Sequence, residues 1–164
     1  MRIDQSVDIS APPQTVWDYL ADPENYLRFM SGITRWEVVG DRPNGLGARY
    51  RILLRVGAAE VGGLIEVVEW DEPYDQAWHS VTGVDHRGRW RIRELDDGSS
   101  KVEFRFAYGV VGGGIAGLIT EVASAPIVRG QMRRTLGQLK RQVEHEQRRE
   151  EAERRRAGRQ AART

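Results

Sequence analysis

The chain of 164 residues has no cysteine. Disulfide staples, thiolate metal sites and cysteine nucleophiles are excluded at once, and a reducing compartment is the natural setting. Histidine is scarce, with three in all: His79, His86 and His145. With no thiol ligands beside them, and with Asp85-His86-Arg87 reading as loop punctuation, they do not assemble a metal site. Long apolar runs are missing as well. None approaches the roughly 18 residues that a membrane span needs. The N-terminus, MRIDQSVDIS, alternates charged and apolar residues where a signal sequence would be apolar. A cytoplasmic protein is expected.

No sign of charge dominates, since 25 basic and 24 acidic residues leave a net charge of +1. The distribution is uneven. Residues 144–164 hold seven Arg and five Glu, which leaves 18 basic and 19 acidic residues for 1–143. A charged extension, helical or disordered, is therefore expected after a body domain spanning 1–143. Its basic end is of a kind that touches nucleic acid or anionic lipid, or simply stays solvated.

What is present is a hydrophobic fraction of 40% with five Trp, enough for one domain with a real core. Residues 2–10 alternate, with Ile3, Gln5, Val7 and Ile9 on one face. Ser10 and the prolines of SAPPQTVWDYLAD announce a short helix carrying Val16, Trp17 and Leu20 on one stripe. DPENYLRFMSG announces a second, capped by Asp22 and stopped by Gly32. From Ile33 to Tyr108 the pattern is strands and turns. Tyr50, Ile52, Leu54 and Val56 oppose Arg49, Arg51 and Arg55. Trp90 and Ile92 oppose Arg89, Arg91 and Arg93. Val102, Phe104, Phe106 and Tyr108 share a face, with Glu103 and Arg105 on the other. Gly62-Gly63 predicts a bulge or bend inside a strand. Six strands after the helical corner, with no helix between neighbours, predict a seven-stranded antiparallel sheet. One long helix begins near Ile115 and carries Val128, Met132, Leu136, Leu139 and Val143 at helical spacing. Pro126 inside it predicts a kink near Val122.

The stretch Gly112-Gly113-Gly114-Ile115-Ala116-Gly117 spells G-x-G-x-x-G between a strand and a helix. A dinucleotide turn also needs a second parallel strand after that helix and an acidic residue at its end. Neither is present, so no nucleotide cofactor is expected. The glycines are instead expected to turn the chain sharply into the helix.

The order β, two short helices, six antiparallel β and one long helix resembles the helix-grip fold of the START/SRPBCC superfamily. More narrowly, it is similar to the polyketide cyclase/dehydrase family. The residues that carry the resemblance are DISAPPQTVWDYLADPENYLRFMSGI, supported by VVEWDEP and LGQLKRQVE. The resemblance implies a curved sheet wrapped around the long helix, with an internal apolar cavity and a hydrophobic small-molecule ligand. Cyclases, aromatases, and lipid and quinone carriers all belong to that superfamily, so fold alone does not choose among them.

Candidate lining residues are Trp36, Tyr50, Ile52, Leu54, Trp78, Trp90, Phe104, Phe106, Val122, Val128 and Met132. Tyr26, Met30 and the VVGGGIAG turn are expected at the mouth. For any single one of these residues core is the default reading, since an apolar face is core unless something opens it. Few polar groups share the inner faces: Gln5; either His79 or the pair Ser80 and Thr82; and one of Glu66 and Glu69. His79 is the candidate general base, and no Ser/His/Asp constellation forms. Three readings follow. The first is binding or transport of a lipid, isoprenoid quinone or polyketide-like molecule. The second is a polyketide cyclase, aromatase or dehydratase using polar groups in the cavity. The third is an interaction module acting through the Arg-rich tail on nucleic acid or a membrane surface.

Overall fold

A computed structural model describes residues 1–56, 58–109 and 114–162, without the side chains of 56, 59 and 114–124. The element order is β1 (Arg2–Ile9), α1 (Pro13–Ala21), a 3₁₀ turn (Pro23–Asn25), α2 (Tyr26–Phe29), β2 (Ile33–Val39), β3 (Arg49–Val56), β4 (Ala59–Asp71), β5 (Asp75–Ser80), β6 (His86–Glu94), β7 (Ser100–Tyr108) and α3 (Gly114–Ala161). The seven strands form one antiparallel sheet in the order β1-β7-β6-β5-β4-β3-β2. Consecutive strands from β2 to β7 are neighbours, as short hairpin connections require. The two edges, β1 and β2, are joined by the helical corner, and α3 packs along β1 while reaching α1, α2, β3 and β7. The sheet curls so that its concave face closes on α3. One apolar face per strand and one apolar stripe per helix have no other way to leave water.

The core follows the expected faces. Ile3 and Ile9 of β1, Val16, Trp17 and Leu20 of α1, and Val128, Met132, Leu136, Leu139 and Val143 of α3 are all buried. Asp22 accepts the backbone N–H of Glu24 and caps the 3₁₀ turn, and Gly32 ends the corner at a φ of 87°. Pro126 lies inside α3. Val122, where the kink is expected, is described by its backbone alone, and the glycine turn falls in part on residues 110–113, outside the described residues.

Three local expectations need correction. Ser10 does not cap α1. The cap position is Pro12, without a side-chain bond, and the Ser10 N–H donates to Glu144 Oε1 at 2.9 Å. This bond ties the end of β1 to α3. Gly62 and Gly63 pair with Leu53 and Ile52 with no break in register. They serve close approach instead: a Cβ on Gly63 would lie 2.0 Å from the carbonyl oxygen of Thr82. The irregularity in β4 falls between Val67 and Glu69, where one extra residue shifts the alternation. Finally, β6 begins at His86, two residues before the strand predicted from GRWRIREL, so His86 is not loop punctuation.

Candidate functional site

The shift in β4 decides where the carboxylates go. Strict alternation would put Glu66 and Glu69 on opposite faces, one of them inside. With one residue extra, both face outward. Glu66 pairs with Arg49 at 2.6 Å, and Glu69 pairs with Arg89. Ile65, Val67 and then Trp70 turn inward, and Trp70 meets Trp17 edge-on with ring centroids 4.8 Å apart. The other arginines of the outer face are paired similarly. Arg89 and Arg91 share Asp75 at 2.8 and 3.2 Å, and Arg105 bridges Asp4 and Glu103 at 3.0 and 2.6 Å.

The inner face is aromatic and divides into two parts. In the first, Tyr26 stacks on Trp36 with centroids 3.8 Å apart, Trp36 meets Tyr50 and Trp78 at 5.3 and 6.3 Å, and Trp90 stacks on Phe104 at 4.0 Å. Tyr26, expected at the mouth, is buried in this cluster, and Ile52 is buried too. Tyr26, Trp36, Tyr50, Trp78 and Gln76 enclose a gap of only about 10 Å³, too small for anything larger than a water molecule. These residues are packed core. Burial pushes the Tyr50 phenol up to about 12, with its hydroxyl donating to the Pro43 carbonyl at 2.8 Å, and pushes Tyr26 higher still. Neither phenol is a base at neutral pH.

In the second part, Met30, Leu54, Phe104, Phe106, Val128 and Met132 face one another between the end of α2, the sheet and α3. They line a gap of about 30 Å³, with Ser31, Gln131 and Thr135 at its side. The polar atoms here are engaged: Thr135 Oγ1 accepts the Ser31 N–H at 2.9 Å, and the Gln131 amide donates to the Arg55 carbonyl. The gap is apolar, and α3 forms one wall. The side chain of Val122 and residues 110–113 of the VVGGGIAG turn lie outside what the structure describes.

His79 and Trp78 alternate on β5, and it is Trp78 that faces in, 4% exposed. His79 pairs in register with Glu66 on the outer face. Ser80 Oγ accepts the N–H of His86 at 3.1 Å, and Thr82 Oγ1 accepts that of Leu64 at 3.1 Å, so both hydroxyls hold the β5–β6 connection. Gln5 faces inward beside Phe104, its register partner, and is half-buried.

The residue that sequence reasoning missed is His86. It shares the inner face with Gly88 and Trp90 and is 6% exposed. Among the described residues the buried polar side chains are Asn25, Gln76, His86, Ser100 and Thr135, and His86 alone of these carries a titratable side chain. Its ring lies 5.7 Å from that of Phe106. Burial lowers its pKa, against the upward pull of the Val84 carbonyl and the Asp85 charge. The signal was legible: counting back by twos from Trp90 gives Gly88, then His86. Asp85 and Arg87 on either side masked it.

The extension has the form of a helix, as α3 continues to Ala161 with every described residue from 148 onward exposed. Its charges pair along the helix, Glu150 with Arg154 at 3.1 Å and Arg149 with Glu153 at 3.8 Å. Among the described residues no group of three or more His, Asp or Glu is placed to hold a metal, and no helix is long and apolar enough to cross a membrane.

Several solved structures share this architecture. A protein of Thermus thermophilus superposes with a TM-score of 0.74 at 20% identity, covering 87% of this chain and 97% of that one. The Zhui aromatase/cyclase from a Streptomyces species superposes with a TM-score of 0.70 at 20% identity, covering 88% and 93%. The di-domain aromatase/cyclase BexL of the BE-7585A biosynthetic pathway matches over 46% of its length and 88% of this chain, with a TM-score of 0.66 at 20% identity. At such identities the likeness establishes the fold. No curated protein sequence matches the chain. The family model described as polyketide cyclase / dehydrase and lipid transport matches residues 1–144, the full extent of the sheet and the packed part of α3. The chain therefore belongs to the polyketide cyclase / dehydrase and lipid transport family.

Proposed function

We propose that the protein binds a hydrophobic small molecule, of lipid, isoprenoid-quinone or polyketide-like character, between the concave face of the sheet and α3, where the gap of about 30 Å³ widens to admit it. The observation that carries this reading is the segregation of charge. On the described strands the acidic and arginine side chains that form ion pairs do so on the outer face, while the gap beneath α3 is lined by Met30, Leu54, Phe104, Phe106, Val128 and Met132. Such a surface binds by excluding water from apolar area, and its methionines adapt to ligand shape. The family description, which covers lipid transport as well as cyclisation, supports it. Native mass spectrometry of the purified protein, followed by denaturing extraction, tests it. An apolar molecule released in stoichiometric amount is expected. Empty protein that also takes up no apolar probe would overturn the reading.

A cyclase or dehydratase role is the second reading. It is favoured by the two aromatase/cyclases among the structural neighbours and by one buried histidine on the inner face. Such chemistry needs a group that moves a proton beside a polarised carbonyl. Turnover of poly-β-ketone substrates by the wild type, abolished in His86→Ala or in His79→Ala, would establish it.

A further inference from the structure

The Nδ1 atom of His86 lies 2.8 Å from the carbonyl oxygen of Val84. A carbonyl can only accept, so the hydrogen is on Nδ1 and the neutral ring presents Nε2 as a bare acceptor. That Nε2 is sealed from solvent and has no hydrogen-bond partner among the described residues. Leaving a buried polar atom unpaired is costly, and an inner-face valine or phenylalanine would avoid the cost. The ring stands at a junction. On one side is a recess of about 410 Å³, lined by Met1, Asp85, His86, Tyr108 and Gly109 at the end of the sheet. On the other is Phe106, which lines the apolar gap beneath α3. Phe104, Phe106 and Tyr108 continue from there as a row of rings, with centroids 6.2 and 5.8 Å apart.

We propose that His86 Nε2 is the polar anchor of the binding site, accepting a hydrogen bond from a hydroxyl group on an otherwise apolar, ring-bearing ligand that lies along Phe106. This rests on the apolar-site reading and narrows it. The ligand must donate a hydrogen bond, which selects phenolic, enolic or alcoholic molecules over hydrocarbons, ethers and esters. A polar group that recognises one hydroxyl discriminates well, because the analogue lacking that hydroxyl leaves the acceptor unpaired again.

The test uses the full-length chain with 2-naphthol and 2-methylnaphthalene, two fused rings of similar shape, of which only the first can donate. Affinities are measured by tryptophan fluorescence for the wild type and for His86→Phe, which keeps a ring and removes the acceptor. The ratio of the two affinities in the wild type is expected to exceed that in His86→Phe by about tenfold, with 2-methylnaphthalene binding retained. A ratio unchanged by the substitution overturns the assignment and leaves the apolar site standing. Binding of neither compound overturns both. Should His86→Phe fail to fold, the imidazole ¹⁵N spectrum of the wild type decides. The Nε2 resonance is expected to move with 2-naphthol and not with 2-methylnaphthalene, and an equal response to both refutes the anchor.

Discussion

The packing of Trp78 depends on one missing methyl group. Gly88 lies opposite Trp78 in the register of β5 and β6, and a Cβ built on it would sit 2.1 Å from Cζ2 and 2.3 Å from Cε2 of the indole. Gly88 is outside the left-handed region, so its requirement is for space. In an uncrowded strand, Gly→Ala is stabilising by about 0.4–1 kcal/mol through the unfolded chain. Here the indole must move, and it is 4% exposed, set edge-on against Trp36 at 6.3 Å and stacked beside Phe104 at 6.1 Å. Overpacking of this kind costs about 1–3 kcal/mol, which outweighs the entropic gain. Gly88→Ala is therefore expected to lose about 1–2 kcal/mol net. In urea unfolding that lowers the midpoint by roughly 1 M, at slopes of about 1–3 kcal/mol per molar. A loss of near-ultraviolet circular dichroism from the displaced tryptophan should accompany it. Gly130→Ala is the control. Its Cβ would meet only Arg134 Nη1, at 3.6 Å on an open helix face, and it should gain about 1 kcal/mol from helix propensity. A Gly88→Ala protein as stable as the wild type, beside a Gly130→Ala protein that behaves as expected, would refute the packing argument.

Two further outcomes follow from the same geometry. Burial lowers the His86 pKa, so below about 6.5 the unfolded chain takes up a proton that the folded one refuses. Stability should fall as pH drops from 7 toward 5, and His86→Phe should flatten that part of the curve in urea titrations; an unchanged slope would contradict the placement of His86. Truncation after Gln147 retains the last buried residue, Val143, and the bond from Thr15 Oγ1 to Gln147 Oε1 at 3.2 Å. The described residues that it removes are all exposed, so the unfolding free energy should stay within about 0.5 kcal/mol of the full chain. A larger loss would show that the extension is packed.

The apolar periodicities alone determined the element order, the antiparallel sheet, the helix stripe from Val128 to Val143 and the outward facing of the arginines. These are properties of neighbouring residues in the chain, and two-residue and 3.6-residue repeats report them directly. The aromatic list was legible as an inner face, yet nothing local divides Tyr26, Trp36 and Trp78, which pack solidly, from Phe106, Met30 and Met132, which border a gap. That division depends on how far each strand stands from α3. The fate of Glu66 and Glu69 turned on a single extra residue in β4, whose position is set by pairing with β5 and not by any glycine. His86 looked like a turn residue because charged neighbours flank it; the count by twos from Trp90 reaches it only if the strand extends that far, and the pairing of His86 with Tyr108 shows that it does. Register and inter-element distance are relations between segments far apart in sequence. The chain's local pattern constrains them, and the tertiary structure decides them.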